Sequence, residues 1–275
     1  MKSPSAPARE PVRFVPPARG PTHMPNAIDH ALALVLVVVA PPYAAWSFRR
    51  LRARIARGGG SARRAAYRGT MLTQWTLTLA LLAHWWFAAR PFTDLALLPP
   101  SGWGTVVAIL LLATLVGIFL FQQAHADDSA LQDAIRTKLA PVESILPHDD
   151  ADERLFTGVA ITAGICEEAL YRGFLTWYAV QFLPTYVAVP AVALAFGLAH
   201  SYQGVRGVVT TTIVGLVMAG FVALAASLWI AMAVHVLVDL NSGLLARRVL
   251  AATRSRDNVS PPSPAPSESS SAPRS

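Results

Sequence analysis

The chain has 275 residues, 53% of them hydrophobic and 14% charged, with a mean hydropathy of +0.43. A soluble domain carries about 25% charged residues, so an ordinary soluble fold and disorder throughout are both excluded. The single cysteine, Cys166, excludes a disulfide scaffold and a cysteine-rich zinc site. The net charge of +7 comes from basic residues set between apolar runs, which reads as membrane topology and gives no reason to expect nucleic acid. The class left is an all-α, polytopic transmembrane bundle.

In chain order, residues 1–26 are rich in Pro, Ala and Arg and read as a disordered tail. The run ALALVLVVVA at 31–40 could serve as a signal-peptide core, but the segment before it is long and apolar residues follow it, so a first membrane span is expected over 27–48. Pro41 and Pro42 should kink that helix or end it early. A loop over 49–68 holds eight arginines, from Arg49 to Arg68, and belongs in the cytoplasm by the positive-inside rule. A second span over 70–89 ends in Trp85, Trp86 and Arg90, which reads as an interfacial aromatic belt with a snorkelling cation and His84 beside it. A third span is expected over 103–122.

Residues 27–154 thus form three accessory spans and a cytoplasmic loop. Leu131, Ile135, Leu139 and Val142 recur there at helical spacing after Asp128 or Ser129 as N-cap, so the loop should hold a short amphipathic helix. The run Asp149, Asp150, Asp152, Glu153 reads as a solvated acidic stretch, not a metal site. Four more apolar runs follow, at 155–181, 184–203, 207–226 and 227–246, the last two divided only at Ala226–Ser227. The total is seven spans, or eight, with the chemistry in the last four. Seven spans place the N-terminus outside and the C-terminus in the cytoplasm, followed by a Ser/Pro-rich disordered tail over 247–275.

Between 155 and 246 the formally charged residues are Glu167, Glu168, Arg172, Arg206 and Asp239. A charge near the bilayer centre costs about 2.5–3.5 kcal/mol, so Glu167, Glu168 and Arg172 must face a protein interior or a wet cavity and be paired. Glu168 and Arg172, four residues apart, can pair on one helix face. Glu167 lies about 100° round the helix and needs a partner from another helix. Phe196 and His200, and then His235 and Asp239, repeat the spacing of four on two further helices. Glu167, His200, His235 and Asp239 can therefore line one cavity open to the cytoplasmic side. Cys166 is not read as a nucleophile, because apolar surroundings disfavour a thiolate.

Glu167-Glu168-Ala-Leu-Tyr-Arg172 resembles an EExxxR motif, Phe196-Gly-Leu-Ala-His200 resembles FxxxH, and His235-Val-Leu-Val-Asp239 resembles HxxxN/D. All three, in this order and on apolar helices, resemble the CPBP (CAAX protease and bacteriocin-processing, Abi) intramembrane proteases, which include the type II CAAX prenyl endopeptidases. The resemblance covers about residues 155–246. It implies peptide-bond hydrolysis with water activated by Glu167 and His200, an oxyanion held by His235 and Asp239, and Glu168, Arg172 and Phe196 supporting them. Asp239 stands where prenyl endopeptidases carry Asn, so an oxyanion contact from it requires a protonated carboxyl; orienting His235 or binding a metal are its other roles. Glu167, His200 and His235 would make a zinc site of familiar composition, and a metal-free glutamate mechanism fits the same residues. The partners implied are membrane lipids and a membrane-associated peptide or protein substrate. The expected location is a bacterial cytoplasmic membrane. Two rivals use the same residues: a non-catalytic binding or immunity module of the same fold, and an ion-coupled transporter.

Overall fold

The computed structural model describes residues 23–57 and 61–259; of the tails expected over 1–26 and 247–275, residues 1–22 and 260–275 lie outside them. Among the described residues the chain is helical, with no strand. The principal helices are α1 (Ala27–Ala56), α2 (Ser61–Phe87), α3 (Trp103–Ala124), the short α4 (Ser129–Leu139), α5 (150–179), α6 (Thr185–Ala199), α7 (Gly204–Ala225) and α8 (Leu228–Val259). Four segments, Ala27–Ala56, Trp103–Ala124, Ser201–Ala225 and Leu228–Ala252, are long and apolar enough to cross a membrane.

Helix α1 opens on a capping box. The Asn26 side chain accepts from the amides of Ile28 and Asp29, and Asp29 accepts from the Asn26 amide at 2.8 Å. Pro41 and Pro42 neither end nor break this helix. A π-helical turn over Val35–Val39 lies just ahead of them. A proline lacks an amide and crowds the carbonyl four residues back, and a widened turn relieves both. The arginine-rich segment is not a long loop either. Arg and Ala are good helix formers, so α1 continues to Ala56 and α2 resumes at Ser61. The last helix likewise continues past 246, to Val259.

The belt expected at the end of α2 is divided. Trp86 is exposed, but Trp85 is fully buried and Arg90 nearly so. Arg90 donates to both oxygens of buried Asp29, at 2.8 and 2.7 Å, with its guanidinium over the rings of Trp85 and Trp177. His84 also meets Asp29, at 3.1 Å. Arg90 is therefore an internal ion-pair partner and not a snorkelling cation.

The acidic run needs a similar correction. Asp149 caps α5 by accepting from the Asp152 amide, while Asp152 is buried and paired with Arg63 at 2.8 Å and Arg64 at 3.1 Å. Arg247 ties Asp150 and Glu153 to α8. Only Asp149 and Asp150 remain largely in solvent. Asp128 caps the amphipathic α4, accepting from the Leu131 amide.

Helix α5 lies between α2 and α8, α6 pairs with α7, and α3 packs against α7 and α8. Two glycines set the close crossings. A Cβ at Gly164 of α5 would stand 2.8 Å from the Val236 amide nitrogen of α8, and one at Gly197 of α6 would stand 2.7 Å from the Val208 carbonyl of α7. The connection between α2 and α3 folds inward, burying Leu95 against Gly173 of α5. Helix α7 ends at Ala226 in the left-handed region, the break the sequence marks at Ala226–Ser227.

Candidate active site

Helix α5 changes character at the paired glutamates. It is α-helical from Asp150 to Glu167, π-helical from Glu168 to Leu175, and α-helical again over Thr176–Ala179. A wider turn leaves carbonyls without their usual partner, and the Thr176 hydroxyl donates to the Tyr171 carbonyl at 3.0 Å. Because a π turn holds more than four residues, Glu168 and Arg172 still share a face. Arg172 Nη1 lies 3.0 Å from Glu168 Oε1, with both side chains buried. The guanidinium also lies 4.0 Å over the Phe196 ring.

The π segment and its neighbours enclose Phe196. Its ring meets Tyr171 edge-on at 5.1 Å, His200 at 4.7 Å and His235 edge-on at 6.1 Å. Phe196 therefore spaces the two histidines and covers the Glu168–Arg172 pair.

The two histidines are each fixed through Nδ1. His200 is not inside its helix, as its spacing suggested, but caps α6; Nδ1 meets the Phe196 carbonyl at 2.8 Å. That carbonyl belongs to the last turn, where acceptors lack backbone partners. In His235, Nδ1 meets Glu168 Oε1 at 2.9 Å. A carbonyl and a carboxylate both require a donor, so both rings carry the proton on Nδ1. Each Nε2 is then turned to the same atom. His200 Nε2 and His235 Nε2 each lie 3.9 Å from Glu167 Oε2. This convergence depends on the Gly164–Val236 crossing, one turn before Glu167 and next to His235.

Glu167 takes its partner from α2, a residue the sequence reading did not single out. Gln74 Nε2 donates to Glu167 Oε1 at 2.6 Å. A signal was present, since Gln74 is the one side-chain amide in the apolar run 70–89. Asp239 Oδ2 stands 3.8 Å from His235 Nε2, beyond a hydrogen bond. Glu168 rather than Asp239 therefore orients His235. Exposure rises from 0% at the Glu168 side chain through 15% at Glu167 to 35% at Asp239, so the site opens past Asp239.

As zinc ligands, Glu167, His200 and His235 have the right donor types but not the spacing. Two ligands about 2.0 Å from a tetrahedral zinc lie about 3.3 Å apart, less than the 3.9 Å found here. Among the described residues no group of three or more His, Cys, Asp or Glu side chains is arranged to hold a metal ion. A contact of 3.9 Å is also too long for a direct hydrogen bond, so a water is what could join each pair.

Residues 154–241 match the family model described as type II CAAX prenyl endopeptidase Rce1-like. No curated protein and no solved structure matches. The matched segment runs from the start of α5 to the middle of α8 and contains all three motifs. The family is one of CAAX-type membrane peptidases. The apolar helices and this match together indicate an integral membrane protein that is similar, over residues 154–241, to the type II CAAX prenyl endopeptidase Rce1-like family.

Proposed function

We propose that the chain is an intramembrane endopeptidase that hydrolyses a peptide bond with a water held between Glu167 and His200. The observation that carries this reading is the pair of Nε2 atoms facing one carboxylate oxygen, each 3.9 Å away and each with its Nδ1 already bound elsewhere. A water between Glu167 Oε2 and His200 Nε2 donates one hydrogen bond to each. As its oxygen attacks the scissile carbonyl, Glu167 takes one proton, and the carbonyl π electrons pass to oxygen, giving a tetrahedral oxyanion. When the oxyanion's electrons re-form the C=O bond, the C–N bond breaks and Glu167 returns its proton to the leaving nitrogen.

His235 stands opposite His200 across the carboxylate. With Nδ1–H on Glu168, its Nε2 donates to the oxyanion when the ring is an imidazolium. Asp239, at the open end, belongs to the same contact through a protonated carboxyl. Phe196 and Arg172 hold the two rings and Glu168 in place. No step is routed through a metal, because the donor spacing does not fit one. The substrate is a membrane-associated peptide or protein that enters past Asp239.

The test compares protein N-termini in cells expressing the wild type, Glu167→Ala or His200→Ala at equal membrane levels. New termini present only with the wild type are expected, and they persist in isolated membranes treated with a metal chelator. The same termini in both variants would remove the proteolytic reading, and loss on chelation would restore a metal to the site.

A further inference from the structure

Gln74 is a residue of α2, outside the matched segment, yet its amide touches the carboxylate on which the proposed reaction turns. At 2.6 Å the bond is short for an N–H donor, and an ionised acceptor shortens such a bond. It occupies Glu167 Oε1, and the histidines face Oε2. A carboxylate at the end of three rotatable bonds would otherwise present either oxygen to the site. The other end of the same amide is equally informative. Gln74 Oε1 is buried and has no hydrogen-bond partner among the described residues. A buried acceptor left unpaired costs free energy, and a donor arriving next to Glu167 would satisfy it. Neighbouring contacts hold α2 in register: Trp75 Nε1 donates to Thr162 at 3.1 Å, and Met71 packs on Gly158.

We infer that Gln74 is a positioning residue for Glu167, supplied by the accessory helices. Its N–H fixes the carboxylate with Oε2 toward the two histidines, and its carbonyl oxygen accepts from the water or the substrate N–H that enters the site. The inference rests on the proteolytic reading for its consequence, but the contact itself can be tested without a substrate.

Membranes containing the full chain are treated with dicyclohexylcarbodiimide, whose central carbon is attacked by carboxyl oxygens in apolar surroundings as their proton passes to its nitrogen, and adducts are located by peptide mass spectrometry. In Gln74→Met, which keeps the length and removes both polar atoms, Glu167 is expected to react about 10- to 100-fold faster, the range for one hydrogen bond to a charged group. Gln74→His, which keeps a donor, should return most of the protection. Gln123→Met, a similar change outside the site, should leave Glu167 labelling unchanged. The wild-type-specific N-termini should fall by a similar factor in Gln74→Met and recover in Gln74→His. Equal labelling of Glu167 in wild type and Gln74→Met at matched membrane levels overturns the inference, whatever the protein cleaves. Faster labelling with no wild-type-specific termini leaves the contact standing and removes the proteolytic reading.

Discussion

Glu168 is fully buried, accepts from His235 Nδ1 and faces Arg172, so one carboxylate orients a site histidine and balances a buried cation. Breaking a buried ion pair by removing one partner costs about 3–5 kcal/mol, whereas replacing both partners by apolar residues is often near neutral. Glu168→Ala should therefore lower the unfolding free energy by about 3–5 kcal/mol, and the double change Glu168→Met with Arg172→Met by clearly less. Denaturant unfolding in detergent measures both. Cleavage should be lost in both, because His235 loses its orienting acceptor in each. Equal destabilisation by the single and double changes would mean that Glu168 acts through His235 alone. The spacing of four made this pair legible in the sequence. That the same carboxylate also serves His235, 67 positions away, was not legible, because nothing local fixes which helix face meets which.

The elements show the same division. Helix α5 begins outside the apolar core, where Asp149 accepts from the Asp152 amide and Arg64 lies at 3.0 Å. The amide bond and the guanidinium hold the Asp149 carboxyl below its ordinary 3.8. A carboxyl whose folded value is depressed contributes stability that is present above the unfolded value and lost as pH falls through the folded one. Stability should therefore drop as pH falls below about 4, and Asp149→Asn should flatten that part of the curve. An unchanged slope in the variant would assign the acid loss elsewhere. Helix existence, the N-cap at Asp128 and the Ala226 break follow from local propensity and capping. The π turns at Val35–Val39 and Glu168–Leu175 do not. The first widens the helix just ahead of Pro41 and Pro42, and the second lies beside the inward-folded Leu95 segment, a tertiary contact. The acidic run misled for a similar reason: Asp152 looked solvated until α2 brought Arg63 and Arg64 against it.

At the scale of the molecule, the Asp29–Arg90 pair fastens α1 to the end of α2 and the Leu95 segment. Asp29 is also the capping-box residue of α1, and His84, Trp85 and Trp177 close round the pair. Arg90→Ala removes the guanidinium from buried Asp29, leaving it His84 and the Asn26 amide, and should cost up to about 3–5 kcal/mol, read as a lower unfolding midpoint in detergent. A loss under about 1 kcal/mol would place the pair among interactions screened by solvent. The amino-acid sequence by itself determined the class, an all-helical membrane protein, and the motifs that carry the family match. Composition, apolar run length and a spacing of four are properties of neighbours along the chain. Only the tertiary structure decided that both histidines turn Nε2 to one oxygen of Glu167, that Glu168 and not Asp239 orients His235, and that Gln74 reaches the site from the accessory half. These depend on the depth and rotation at which helices far apart in sequence meet. Close crossings such as Gly164 on Val236 set that geometry, and no local periodicity encodes it.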